Sequence, residues 1–491
     1  MDAAIDAART LPEVLAAQAA ARPDAPAVHF EGEVLRYADL DRGARALATR
    51  LWHEWGVRPG DRVAWLGLNH PAQVLLLFAL ARLGAVLLPL NVRLAPPEWD
   101  ALLAACTPTH LVHDEAFAAA AQPLAAARGL RAHDLASLQG AAAGDAPDHA
   151  APDAPVLLVF TSGTTSQPKA AVHTQANLLA NMRIAAATQR ITPDDVVLTV
   201  LPLFHVGGLC IQSLPALYAG AQLVLLARFA PEATFEAIAR HRPTLTLQVP
   251  ATMKALVEHP QWPAADLACL RAVWAGSSLL PAPLVQAFHA RGLPVCNVYG
   301  STETGPFSIA LPPEHAFDHV GSCGWPAPGV EVRLAEVQRG TGEVWVRAAN
   351  VVQRYWPDVP ARDAEGWFHT GDLATQADDG SYAIVGRSKD LIISGGENIH
   401  PAEIEGPLAE HPAVLECAAF GVPDPQWGEA VAVAVVLRPG AQASDEELRA
   451  HLAARVARYK LPRHCVRLEA LPRTALGKVQ RQALVELLKT A

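Results

Sequence analysis

Thr161-Ser162-Gly163-Thr164-Thr165-Ser166-Gln167-Pro168-Lys169 is the stretch that decides the reading of this chain. Small hydroxyl residues crowd around a glycine, and a lysine closes the run. The apolar segment Val156-Leu157-Leu158-Val159-Phe160 leads straight into it, so the stretch reads as a loop leaving a buried strand. Backbone N–H groups and hydroxyls on such a loop can cradle phosphate oxygens, and Lys169 adds a positive charge. The pattern is not the common phosphate loop, because no G-x-x-x-x-G-K-[ST] is present.

The surroundings alternate short apolar runs with amphipathic stretches. Helices are expected over 44–55, 72–83, 207–218, 231–241 and 283–290. Strands are expected over 62–66, 85–90, 195–201, 222–226, 244–249, 270–274 and 295–299. This alternation predicts parallel sheets covered by helices. Residues 141–155, rich in Ala, Asp, Gly and Pro, read as an exposed connection. From 330 to 385, short strands between Gly, Pro and Asp turns suggest a small β subdomain. Beyond residues 386–389 the pattern becomes helix 401–410, strands 414–422 and 430–437, helix 444–457 and a basic tail. The expected fold is therefore α/β. A large N-terminal domain (1–387) has helix-flanked, mainly parallel sheets and a small β subdomain. A small mobile α+β domain (388–491) follows.

A chain of 491 residues is too long for one ordinary core. Its net charge of −10 shows no domain-wide basic patch, which argues against nucleic acid as a partner. Residues 74–90 are apolar but interrupted by Arg82 and Gly84, so no membrane span is expected. The N-terminus shows no basic region followed by an apolar core, so no secretory leader is expected. Seven scattered cysteines without metal-ligand spacing fit a reduced, cytoplasmic protein. The His315/His319 pair has no evident third ligand, so zinc is not expected.

Three more segments carry chemistry. They are Tyr299-Gly300-Ser301-Thr302-Glu303-Thr304, Gly366-Trp367-Phe368-His369-Thr370-Gly371-Asp372, and Leu471-Pro472-Arg473-Thr474-Ala475-Leu476-Gly477-Lys478. Leu203-Phe204-His205, Ala275-Gly276-Ser277-Ser278, Gly386-Arg387-Ser388-Lys389-Asp390 and Ser394-Gly395-Gly396-Glu397-Asn398 accompany them. In order and spacing these segments resemble the adenylate-forming enzymes, the superfamily of acyl-CoA synthetases, and most closely its fatty-acyl-CoA and aryl-CoA ligases. The resemblance runs from about residue 10 to residue 488.

The resemblance implies a two-step ligase. ATP converts a carboxylate to an acyl-AMP with release of pyrophosphate, and CoA then takes the acyl group and releases AMP. A crowded, negative phosphoryl centre calls for electrostatic stabilisation and for Mg²⁺ on hard oxygen ligands. By resemblance, Glu303 and Thr161 serve the metal. Ser162, Gly163, Thr164, Thr165 and Lys169 hold phosphates, and Gly300, Ser301 and Thr302 complete the nucleotide site. Asp372 and Arg387 hold the ribose, while Tyr299, Gly276 and Ser277 line the adenine pocket. Lys478 acts on the carboxylate and the bridging oxygen. Lys389 is the hinge about which the small domain turns. Gly395, Gly396 and Trp427 belong to the CoA tunnel, and His205 to the gate between it and the acyl pocket.

The chain departs from the family at Ser166 and Ala170, where glycine is usual. The expected acyl pocket comprises Ile184, His205, Val206, Gly207, residues 248–253, Val298, Gly305 and Pro306. No arginine stands among them, so an apolar monocarboxylate is expected rather than a diacid. A fatty acid is favoured, with a benzoate- or cinnamate-type acid as the alternative. Trp274 either shortens the pocket or packs the core, and core packing is favoured. CoA is the favoured acceptor, on the expectation that no carrier domain with its serine follows residue 491. A separate carrier protein is the alternative. A homodimer is compatible with the sequence but not required by it.

Overall fold

The computed structural model describes residues 3–140, 144–161, 169–276, 280–338, 340–394, 397–474 and 477–490. Among them the longest sheet has nine strands. Its order is Trp325–Pro326, Ile309–Ala310, Val295–Tyr299, Ala272–Gly276, Leu245–Gln248, Val196–Thr199, Gln222–Leu225, Pro26–Phe30 and Glu33–Arg36. The stretch from Val295–Tyr299 to Pro26–Phe30 is parallel throughout, and the edge pairs are antiparallel. These central strands are short, apolar and buried, as strands covered on both faces must be.

A second, eight-stranded sheet carries the hairpin of Pro155–Thr161 and Lys169–Thr174 beside four parallel strands. That hairpin is an antiparallel element within the mainly parallel arrangement expected from sequence. A four-stranded antiparallel sheet spans Glu331–Gln338 to Tyr382–Arg387, in the place expected for the β subdomain. From Ile392 onward the chain builds a separate sheet with cores of its own on both faces, including Ile392, Ile404, Leu408 and Val433 on one and Phe420, Ala432 and Leu484 on the other.

Three local expectations change. The helix expected over 44–55 begins at Tyr37, where the Asp39 carboxylate accepts from the Arg36 N–H and closes its first turn. The helix expected over 444–457 ends at Ala453. The basic tail instead forms the strand His464–Arg467 and the helix Arg481–Thr490. That helix seats Leu484 in the core, with Val485 and Leu488 packed against the same cluster. No helix among the described residues is long and apolar enough to cross a membrane.

Candidate active site

Parallel α/β sheets offer their functional edge at the carboxyl ends of the strands. Thr161, Gly276 and Tyr299 each end a strand at such an edge. Thr161 and Lys169 face each other across the hairpin, and the Thr161 hydroxyl donates to the Lys169 carbonyl at 3.3 Å. The two predicted ends of the Ser/Thr-rich loop are thus pinned together. Ser162, Gly163, Thr164, Thr165 and Ser166 lie outside the described residues, as do Ser277, Gly395 and Gly396.

Tyr299, Asp372 and Arg387 meet. The Tyr299 hydroxyl donates to Asp372 Oδ2 at 2.8 Å, and Arg387 Nε lies 2.8 Å from Asp372 Oδ1. Asp372 is only 7% exposed. Burial, followed by the Asp372 charge, holds the Tyr299 hydroxyl well above the ordinary tyrosine pKa, so it remains a donor. A carboxylate accepts about four hydrogen bonds, so Asp372 keeps capacity for further hydroxyl donors such as those of a ribose. Gly276 and Gly300 have no room for a side chain. A Cβ on Gly276 would lie 2.5 Å from the Val298 carbonyl oxygen, and one on Gly300 would lie 1.8 Å from that of Pro306.

Glu303 sits in the short helical turn Thr302–Thr304, which Ser301 leads into. The Val352 N–H donates to its carbonyl at 2.8 Å, and the Tyr355 hydroxyl donates to its Oε1 at 2.9 Å. No partner among the described residues takes the second carboxylate oxygen. A single hard oxygen donor suits Mg²⁺, which keeps waters and phosphate oxygens as its other ligands. No cluster of three or more potential metal-ligating side chains occurs among the described residues. His319 pairs with Asp379 at 2.8 Å.

Lys478 arrives from the C-terminal sheet on a tight turn. Thr474 and Lys478 exchange hydrogen bonds across it, and Gly477 takes φ +82°, a conformation that favours glycine. Lys478 is exposed over the residue as a whole, yet the protein around its ammonium draws its pKa below that of an ordinary lysine. Arg387 and Lys389 push the same way, and the Asp372 and Glu303 carboxylates oppose them. The charges expected to share one site are therefore within electrostatic reach of each other. Lys389 lies in the turn Ser388–Asp390, between the strands Tyr382–Arg387 and Ile392–Ser394.

His205 caps the short helix Val206–Gly208, its Nδ1 accepting from the Gly207 N–H at 3.0 Å. Burial lowers its pKa to about 4, with the Lys478 and Arg93 charges adding to the effect, so the imidazole is neutral near pH 7. Val206, Gly207 and Val298 are buried. Asn181, on the same helix as Ile184, reaches Gly305, whose φ is +90° and whose Cβ would lie 2.8 Å from Asn181 Oδ1. Pro306 follows through a cis peptide bond. Trp274 is fully buried, and its indole N–H has no partner among the described residues. Strand alternation puts Trp274 on the same sheet face as Gly276 and Val298. Trp427 stands apart from this group. It is 37% exposed, with the Arg463 guanidinium 5.0 Å from its ring, beside the pair Ser394–Gly428 that leads into residues 395–396.

Sequence reasoning missed Tyr355 and the buried Asn350, whose amide donates to the carbonyls of Thr304 and Phe307 and so braces the Glu303 turn. No local signal marks Tyr355, because its partners are distant in sequence.

The sequence profile described as AMP-binding enzyme matches residues 15–356, and that of the AMP-binding enzyme C-terminal domain matches residues 403–478. The chain belongs to the AMP-binding enzymes.

Among relatives of this AMP-binding enzyme, the indoleacetate–CoA ligase of Aromatoleum aromaticum is 41% identical, covering 97% of this chain and 98% of its own. A feruloyl-CoA synthase of an Amycolatopsis species is also 41% identical, covering 93% and 94%. The o-succinylbenzoate CoA synthetase of Bacillus subtilis, solved with ATP and magnesium, superposes with a TM-score of 0.88 at 30% identity, covering 96% and 98%. The adenylate-forming fold, with its large N-terminal and small C-terminal domains, is therefore that of this chain. It is an acid–CoA ligase of the AMP-forming kind, a reaction that uses ATP, Mg²⁺ and CoA.

Proposed function

We propose that this AMP-binding enzyme joins an aromatic carboxylic acid to CoA. The observation that carries the choice is the 41% identity, over 93% to 97% of this chain, to two relatives. The names of the two 41%-identical relatives support an aromatic acid over the fatty acid favoured from sequence.

In this reading Asp372 and Arg387 orient the ribose hydroxyls, and Tyr299 and Gly276 flank the adenine, with Ser277 beside them. Lys169 and the loop Ser162–Thr165 hold the β- and γ-phosphates, with Gly300, Ser301 and Thr302 shaping the floor. Glu303 and Thr161 hold Mg²⁺, which when bound offsets charge on the phosphate oxygens. The Lys478 ammonium approaches the carboxylate and the bridging oxygen, where negative charge develops. The chain divides at 387/388, and Lys389 is the hinge that carries Lys478 away before thioester formation. Gly395, Gly396 and Trp427 then line the path of the CoA thiol, and neutral His205 gates that path against the acyl pocket of Ile184, Val206, Gly207, Val298, Gly305 and Pro306.

The test is AMP release from ATP and Mg²⁺ across aryl, fatty and dicarboxylic acids, with and without CoA. CoA-dependent AMP release with aryl acids is expected. A preference for fatty acids would overturn the substrate class. Acid-dependent pyrophosphate exchange indifferent to CoA would replace CoA with a carrier protein.

A further inference from the structure

Tyr355 touches two groups that the proposed function uses separately. Its hydroxyl donates to Glu303 Oε1 at 2.9 Å, and the Lys169 ammonium lies 5.4 Å from the centre of its ring. Its backbone is tied to the same two elements. Tyr355 pairs with Ala171 on the strand that Lys169 begins, and the next residue, Trp356, donates its N–H to the Ala170 carbonyl at 2.8 Å. Three residues earlier, the Val352 N–H donates to the Glu303 carbonyl. The segment 352–356 thus spans the strand that Lys169 begins and the turn that presents the Glu303 carboxylate.

We propose that Tyr355 is a positioning residue for adenylation, setting the Glu303 carboxylate and the Lys169 ammonium relative to each other. A carboxylate on a flexible stem has several rotamers. A hydroxyl donor at Oε1 selects one of them and leaves the other oxygen free. The ring face holds the lysine by a cation–π contact, weak enough at a solvent-exposed site to yield to phosphate. The proposal rests on Glu303 serving Mg²⁺.

The test compares Tyr355→Phe, Tyr355→Leu and Glu303→Gln in the full chain. The first readout is Mn²⁺ binding to the enzyme with ATP, followed by electron paramagnetic resonance. The second is the Mg²⁺ dependence of acid-dependent pyrophosphate exchange. The third is thioester formation from pre-made acyl-AMP, and melting temperature reports the fold. Tyr355→Phe is expected to weaken Mn²⁺ binding and raise half-saturating Mg²⁺ about tenfold, the effect of one hydrogen bond to a charged group. The thioester step should stay within about twofold of the parent, since it does not draw on this contact. Tyr355→Leu should in addition raise the KM for ATP about threefold as Lys169 loses its ring face.

Wild-type metal dependence in Tyr355→Phe, with a shift in Glu303→Gln, would overturn the proposal alone. An unshifted Glu303→Gln would overturn the assignment of Glu303 itself. Equal losses in both half-reactions with a lowered melting temperature would reduce Tyr355 to a packing residue.

Discussion

Asp372 and Arg387 stand opposite each other in antiparallel strands and are joined at 2.8 Å, with the Tyr299 hydroxyl on the far carboxylate oxygen. The pair ties the strand Phe368–Gln376 to the strand Tyr382–Arg387, and in the proposed function it holds the ribose. Because Asp372 is nearly buried, removing it strands two polar groups at once. Asp372→Ala is expected to lower stability by about 2 kcal/mol, within the range for an unpartnered buried polar group. It should also slow pyrophosphate exchange about a hundredfold, as loss of a charged anchor in the site does. Thermal denaturation and exchange assays check the two effects separately, and unchanged exchange would remove Asp372 from the nucleotide site.

In the proposed function Lys478 serves adenylation and not thioester formation. Lys478→Ala should reduce adenylation by about 10²–10³, the effect of removing one preorganised charge-stabilising donor. Thioester formation from pre-made acyl-AMP should be largely retained. Because its pKa lies below that of an ordinary lysine, the ammonium is lost earlier as pH rises. The alkaline limb of the adenylation profile should therefore fall at lower pH than lysine's usual titration. The thioester step should show no such limb. Equal loss of both steps would contradict the role.

His205 predicts an acid weakness. Its folded pKa of about 4 lies below the unfolded value of about 6.5. The unfolded chain therefore binds more protons between those limits. The contribution is fully present above pH 6.5 and is lost as pH falls through that window toward 4. His205→Gln should flatten the loss of urea resistance between pH 7 and pH 5. A variant as acid-sensitive as the parent would show that His205 does not carry the effect.

Trp274, fully buried in the core, tests whether the packing beneath the expected acyl pocket also sets its depth. Trp274→Leu should raise kcat/KM for six- to eight-carbon fatty acids relative to an aryl acid by about tenfold or more, given the worth of one or two pocket methylenes. Leucine is preferred to alanine because truncating a buried tryptophan fully costs about 3–5 kcal/mol. An unchanged ratio would return Trp274 to core packing.

Gly300 tests the tightness of the turn before Glu303. An alanine Cβ there would lie 1.8 Å from the Pro306 carbonyl oxygen, so the backbone itself must move. Gly300→Ala is expected to lose most adenylation and to lower the melting temperature, whereas an active, stable variant would show the turn to be compliant.

Much of the molecule was readable along the chain because its determinants are local. Apolar runs such as Val156–Phe160 and Val295–Tyr299 carry strand periodicity within a few residues, and Gly477 next to Lys478 marks a turn by residue type alone. The motif residues Glu303, Asp372 and Lys478 were visible as an ordered set of chemical types. The antiparallel hairpin at Thr161 and Lys169 was not, because both sheet senses share one apolar pattern. Nor could periodicity reveal that Tyr355 reaches Glu303 across 52 residues, or that the Lys478 charge is felt at His205. Residue types and their spacing determined which elements form and which chemistry the chain carries. Only the packing of the sheets, which sets register and brings distant side chains within a few ångströms, decided which of those groups act on one another.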